Sequence, residues 1–184
     1  MKKYFKLMRV KHYIKNILVF LPFIFSGQFF QPFYLFRAIM GFLAFCLISS
    51  AVYIFNDIRD AERDRLHPTK KDRPIASGAV SKRAAYILGV CLILVTAVLQ
   101  YFSGAIEWYA WVILLAYLLL NIAYSMKLKN IPIVDIAILV SGYVLRVLYG
   151  SALGGIEISR WLYLTVISMS FYLGLGKRRN ELIR

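Results

Sequence analysis

Apolar residues in this chain are gathered into long blocks, not spread at the spacing of amphipathic helices or alternating strands. Each block approaches the ~20 residues that an α-helix needs to cross a bilayer. The blocks predict six membrane helices, over 15–31, 36–57, 83–103, 107–126, 131–153 and 160–176. The expected fold is therefore all-α, a polytopic transmembrane helix bundle forming one integral membrane domain over 1–184. The polar segments between the blocks alternate in charge. Residues 1–15, 58–83, 127–130 and 177–184 are rich in Lys and Arg, whereas 32–37, 103–107 and 154–160 hold only Arg37, Glu107, Glu157 and Arg160. By the positive-inside bias, both termini and a loop over 58–82 are expected in the cytoplasm, and the location is a cell membrane crossed several times. Trp108, Trp111 and Trp161 cluster toward the opposite ends, as interfacial anchors do.

Composition agrees. The chain is 60% hydrophobic and 17% charged, against ~45–50% apolar residues in soluble domains. A net charge of +14 would suggest nucleic acid in a soluble protein. Here the basic residues lie between apolar blocks, so the partner is the membrane and no nucleic acid is expected. Lys2, Lys3, Lys6, Arg9, Lys11 and Lys15 stand among aromatics, and this start reads as a segment lying along the interface. Cys46 and Cys91 fall inside apolar blocks and read as small buried hydrophobes.

The chemistry concentrates in NDIRDAERDRLHPTKKDRP, residues 56–74, which holds five of the nine acidic residues. Asp57, Asp60 and Asp64 are spaced i, i+3, i+7. At ~100° per residue they fall within roughly 60° of helix arc, so three carboxylates face one way. Carboxylates that close raise one another's pKa unless something compensates. Mg²⁺ suits the task, because it takes oxygen ligands and shares them with substrate phosphates. His67, Lys70, Lys71 and Arg73 follow directly and suit phosphate oxygens. The same membrane face carries Lys15, Asn56, Tyr124, Ser125 and Lys129, with Asp135 at the start of the fifth helix. Asp135 and Arg146 share one face of that helix, ~16 Å of rise apart. Ionisable residues at such depth usually face a bundle interior or a wet cavity. Gly142, Gly150, Gly154 and Gly155 allow close helix packing nearby.

With Asn56 and its three aspartates the motif resembles the first aspartate motif of the UbiA superfamily of intramembrane prenyltransferases. The surrounding text is closer to one branch, the decaprenyl-phosphate phosphoribosyltransferases. The matching stretches are RVKHYIKNILVFLP at 9–22, NDIRDAERDRLHPTKKDRPIASG at 56–78, YSMKLKNIPIVDIAILVSGYVLR at 124–146 and GLGKRRNEL at 174–182. The resemblance implies a bundle of nine helices of which this chain matches the first six, with an oligomer or a complementing C-terminal fragment among its partners. It implies Mg²⁺-dependent transfer of a 5-phosphoribosyl group from phosphoribosyl diphosphate to a polyprenyl phosphate. Asp57, Asp60 and Asp64 are then the metal ligands and, with Asp135, the catalytic set. Lys15, Asn56, His67, Lys70, Lys71, Arg73, Tyr124, Lys129 and Arg146 are the substrate-binding set. Aromatic prenyltransferases of the superfamily carry a second aspartate four residues after the first of their second motif, where this chain has Leu139. Two other readings stay open: polyprenyl transfer to an aromatic acceptor, and a non-catalytic half-protein that binds lipid phosphate.

Overall fold

The structure is a computed structural model, and it describes residues 2–126 and 132–182. In chain order come α1 (Lys2–Met8), a 3-10 segment (Val10–Phe20), α2 (Leu21–Phe25), α3 (Pro32–Arg65), a short 3-10 turn (Lys70–Asp72), α4 (Lys82–Ser103), α5 (Tyr109–Met126), α6 (Pro132–Gly154) and α7 (Arg160–Leu182). Pro32 opens α3 in the first turn, where its missing N–H is no loss. Ser81 caps α4 by accepting from the Ala84 amide at 3.2 Å, and Gly104 ends that helix in the left-handed conformation, φ 59°.

Among the described residues, three helical stretches are long and apolar enough to cross a bilayer: Pro32–Arg65, Lys82–Phe102 and Val134–Gly154. Tyr109–Ser125 is apolar but shorter. Side chains such as Leu94, Leu115, Tyr172 and Leu175 point outward and are exposed. The chain is thus an all-α, membrane-embedded helical bundle.

Two expectations about element limits change. The helix expected over 15–31 is broken into the 3-10 segment and α2. Pro22 sits at the start of α2 and cannot supply the amide that one continuous helix would need. The helix expected to stop at residue 57 runs on to Arg65, so the first part of the expected loop is helical. Ala61 and Asp64 are buried on its inner face, and Arg65 pairs with Glu62 at 3.0 Å. At 34 residues, α3 is about 50 Å long. That exceeds the ~30 Å hydrocarbon core, so α3 cannot lie wholly within it.

α3 and α4 form a hairpin, while α6 packs against α3, α5, α7, α2 and the 3-10 segment. The crossing at Gly150 is backbone to backbone: a Cβ there would lie 2.1 Å from the Val19 carbonyl oxygen. One core gathers Val19, Phe23, Phe45, Tyr117, Tyr149 and Leu153 in mid-bundle. A second gathers Leu7, Ala61, Ile75, Val80 and Ala85 beneath the acidic end of α3. This second core pins α1 and the 66–81 loop to α3. Cys46 is buried as expected; Cys91 lies exposed, because its position on α4 faces outward.

Candidate functional site

The acidic end of α3 keeps the register read from the sequence. Asp57 and Asp64 are 3% and 4% exposed, and Asp60 is half-buried. Guanidinium groups pair with Asp57 and Asp64. Asp57 Oδ1 accepts from Arg9 Nη2 at 2.5 Å and from Arg73 Nη1 at 3.1 Å, and Arg73 Nη1 also donates to Asp64 Oδ2 at 2.7 Å. Two carboxylate oxygens therefore converge on one cationic nitrogen. Arg73, expected on a donor phosphate, lies on the acids.

In the sequence Arg9 reads only as part of the basic start, with no role at the acidic end. Its partner is 48 residues away, and its neighbours read as an interfacial segment. The backbone at Arg9 is left-handed, φ 53°, between α1 and the 3-10 segment, and its guanidinium lies 4.9 Å from the centre of the Tyr53 ring. Lys3 and Lys6 of α1 donate to the Ala79 and Asp72 carbonyls at 3.1 and 2.8 Å. The basic start is thus docked on the 66–81 loop, and does not merely lie along an interface.

His67, Lys70 and Lys71 are exposed on that loop. His67 Nδ1 accepts from the Thr69 and Lys70 amides at 3.2 and 3.4 Å, so the ring holds the turn that carries the two lysines. Close by, burial pushes His12 below the ordinary imidazole range, and the charges of Lys15 and Arg9 push it further.

A second group of side chains lines a cavity of about 170 Å³ between the 3-10 segment, α3, α5 and α6. Lys15, Tyr53, Tyr117, Asn121, Tyr124, Asp135, Leu139, Tyr143 and Arg146 form much of its wall. Tyr53, beside Arg9, joins it to the acidic end. Tyr124 donates to Asp135 at 2.5 Å, and Ser125 donates to Asn56 at 3.1 Å. Arg146 is 5% exposed. It donates to Asn16 Oδ1 at 2.8 Å, to the Gly142 carbonyl at 2.6 Å and to the Tyr117 hydroxyl at 3.3 Å, and lies over the Phe45 ring at 5.0 Å. No ion pair among the described residues includes Arg146. Asn16 and Tyr117 emerge here as supports that no local signal marked for this role. Lys129 lies outside the described residues.

Lys15 and Tyr143 also line a second, apolar groove of about 490 Å³ with Leu18, Leu21, Phe25, Val166 and Met169. Polar cavity and apolar groove thus meet at one lysine.

The UbiA prenyltransferase family profile matches residues 18–175. The chain belongs to the UbiA prenyltransferase family. It is 36% identical to a decaprenyl-phosphate phosphoribosyltransferase of Corynebacterium glutamicum, over 97% of this chain and 54% of that protein. It is 34% identical to a decaprenyl-phosphate phosphoribosyltransferase of Mycolicibacterium smegmatis, over 96% of this chain and 56% of that one. The chain thus spans a little over half the length of these two relatives. Among solved structures it resembles a UbiA homologue from Archaeoglobus fulgidus bound to GPP and Mg²⁺, with TM-score 0.70 and 21% identity over 92% of this chain and 60% of that one. That likeness carries the UbiA fold.

Could the residues at the acidic end accept a divalent cation? Among the described residues no group of three or more His, Cys, Asp or Glu side chains is placed to hold a metal ion, so the three aspartates do not converge as a trio; Asp57 and Asp64 do, on Arg73. Mg²⁺ commonly needs only one or two carboxylates, with substrate phosphates and water completing its shell. Asp57 and Asp64 already converge on positive charge, so their hard oxygen donors fit such an ion.

Proposed function

We propose that this UbiA-family chain takes part in Mg²⁺-dependent transfer of a 5-phosphoribosyl group from phosphoribosyl diphosphate to a polyprenyl phosphate. The observation that carries this reading is Arg146: a buried cation on a cavity wall, bonded, among the described residues, to neutral groups. A buried charge without a counter-charge is costly, and an entering phosphate supplies one. The cavity wall holds two cations, Lys15 and Arg146, against one carboxylate, Asp135. Leu139, at the position where aromatic prenyltransferases carry a further aspartate, lines the same wall. That wall suits one anionic head group better than a second metal. The apolar groove beyond Lys15 suits a hydrocarbon chain.

In this reading Asp57 and Asp64, with Asp60 one turn along, would hold Mg²⁺, which would offset charge on the departing diphosphate. Asn56 and Ser125 fix the approach of α5 to α3. Arg73, with His67, Lys70 and Lys71 around it, binds phosphates of the donor, and Tyr124 and Lys129 border the site. Lys15 and Arg146 hold the acceptor phosphate. One of its oxygens bonds to the anomeric carbon as the bond from that carbon to the diphosphate oxygen breaks, and the electron pair leaves with diphosphate. An ionised phosphate needs no base, so Asp135 is assigned to orient Tyr124.

We further infer that the six predicted segments cross the membrane, with both termini and the acidic end cytoplasmic. The distribution of Lys and Arg supports this. The test is incubation of membranes containing the chain with labelled phosphoribosyl diphosphate and polyprenyl phosphate, with and without Mg²⁺. Mg²⁺-dependent label in the lipid fraction is expected. Turnover of an isoprenyl diphosphate onto an aromatic acceptor, with the ribosyl donor untouched, sinks the assignment. Binding of lipid phosphate with no turnover makes the chain a binding half that needs a complement.

A further inference from the structure

Arg9 reaches the acidic end from the N-terminal segment, not from α3 or its loop. Its backbone takes a left-handed conformation that side-chain-bearing residues rarely adopt. The segment before it is fastened to the loop: Lys3 and Lys6 bond loop carbonyls, and Leu7 is fully buried with Ile75 and Val80. The turn at Arg9 therefore aims its guanidinium at Asp57 from a fixed base. Asp57 is 3% exposed, whereas Arg9 keeps 22% of its side chain open. Of its five N–H donors, Nη2 meets Asp57. A planar guanidinium with donors to spare matches a phosphate as well as a carboxylate.

Asp57, whose Oδ1 accepts from Arg9, is also one of the two carboxylates that would hold a divalent cation. Arg9 and a bound cation compete for it. A diphosphate bound on that cation brings new acceptors within reach of the displaced guanidinium. We propose that Arg9 is an exchange ligand: it rests on Asp57 while the site is empty, then moves to a diphosphate oxygen when cation and diphosphate are bound together. This rests on the metal–diphosphate reading above and adds a residue to it. The short side-chain movement makes cation binding unfavourable without diphosphate and favourable with it, which ties metal loading to donor arrival.

Such exchange predicts effects of opposite sign, which a merely structural arginine does not. The test uses the 184-residue chain, purified in detergent. Mn²⁺ alone is titrated by electron paramagnetic resonance, and labelled inorganic diphosphate is titrated at saturating Mn²⁺. Arg9→Gly is the informative variant, because glycine keeps the left-handed turn without strain. Loss of the competing charge should tighten Mn²⁺ binding about 3- to 10-fold. Loss of a charged donor should weaken diphosphate binding about 10-fold or more. Arg9→Lys should fall between wild type and Arg9→Gly in both titrations, and covers the case in which Arg9→Gly does not fold. Weakening of both ligands, or unchanged diphosphate affinity, overturns the exchange role while leaving the site. A wild-type chain that binds neither ligand overturns the metal–diphosphate reading and this inference together.

Discussion

Asp57 and Arg146 are both almost fully buried, at 3% and 5% exposure, but their surroundings differ in kind. Asp57 meets two guanidiniums, one of which it shares with Asp64. Arg146 meets an amide oxygen, a backbone carbonyl, a hydroxyl and aromatic faces. At the acidic end charge is matched by partners that can be exchanged, because Arg9 and Arg73 remain partly open to water. In the cavity a charge is held in place by neutral groups and, among the described residues, left without a counter-charge. The first arrangement suits ligands that arrive with their own cation. The second suits a bare anion.

The largest effect should come from breaking the acidic end. Asp57→Asn keeps shape but removes the charge that a metal requires, and leaves Arg9 and Arg73 facing a neutral amide. Transfer by the active protein should fall by several powers of ten, as when metal stabilisation of a leaving group is lost. Labelled-lipid formation measures this, with membrane insertion checked in parallel. Turnover near that of wild type would remove Asp57 from the mechanism.

Arg146→Met tests the other half of the comparison. Replacing an unmatched buried cation with an apolar chain of similar length is often neutral or stabilising. Asn16 Oδ1 loses a donor, which costs ~1–3 kcal/mol. These terms oppose each other, so thermal unfolding should move by only about 2 kcal/mol in either direction. Affinity for polyprenyl phosphate should nevertheless fall roughly 10- to 150-fold. A severely unstable variant would mean that Arg146 serves the fold and not an anion.

The two regions also differ in how far they can be read from the sequence. The aspartates lie within one helix, so their common face follows from local spacing alone. The apolar blocks likewise announce a membrane bundle. Arg9 and Asp57, and Asn16 and Arg146, are joined across 48 and 130 residues, and no local pattern links such pairs. Arg73 shows a further limit: its residue type suits phosphate, yet in the structure it lies on carboxylates that suit it equally. The break in the expected first helix had a visible cause in Pro22. The continuation of α3 did not, because charged residues at a membrane surface fit a loop and an extended helix alike.

Packing offers a smaller effect, independent of chemistry. Gly150→Ala would bring a methyl group to 2.1 Å from the Val19 carbonyl oxygen. The 3-10 segment must then move away from α6, at a cost of ~1–3 kcal/mol. Because that segment carries Lys15 and Asn16, acceptor affinity should fall together with the melting temperature. Unchanged melting would mean that the segment sits more loosely on α6 than the structure indicates.

The smallest effect is expected from the exposed loop. Lys70 and Lys71 stand in water on the turn held by His67, so they can draw a polyanionic donor toward the site but hold it only weakly. Exposed charge pairs contribute about 0–1 kcal/mol, and salt screens them over roughly 8–10 Å. Lys70→Ala or Lys71→Ala should therefore raise the KM for phosphoribosyl diphosphate only about two- to fivefold at low salt. The difference from wild type should shrink toward nothing near ~1 M salt, where the screening length is ~3 Å. Arg73→Ala provides the contrast, because its partners Asp57 and Asp64 are shielded from solvent. Its defect should persist at the higher ionic strength. Equal salt sensitivity in all three variants would erase the distinction between a steering loop and a buried, exchangeable ion-pair site.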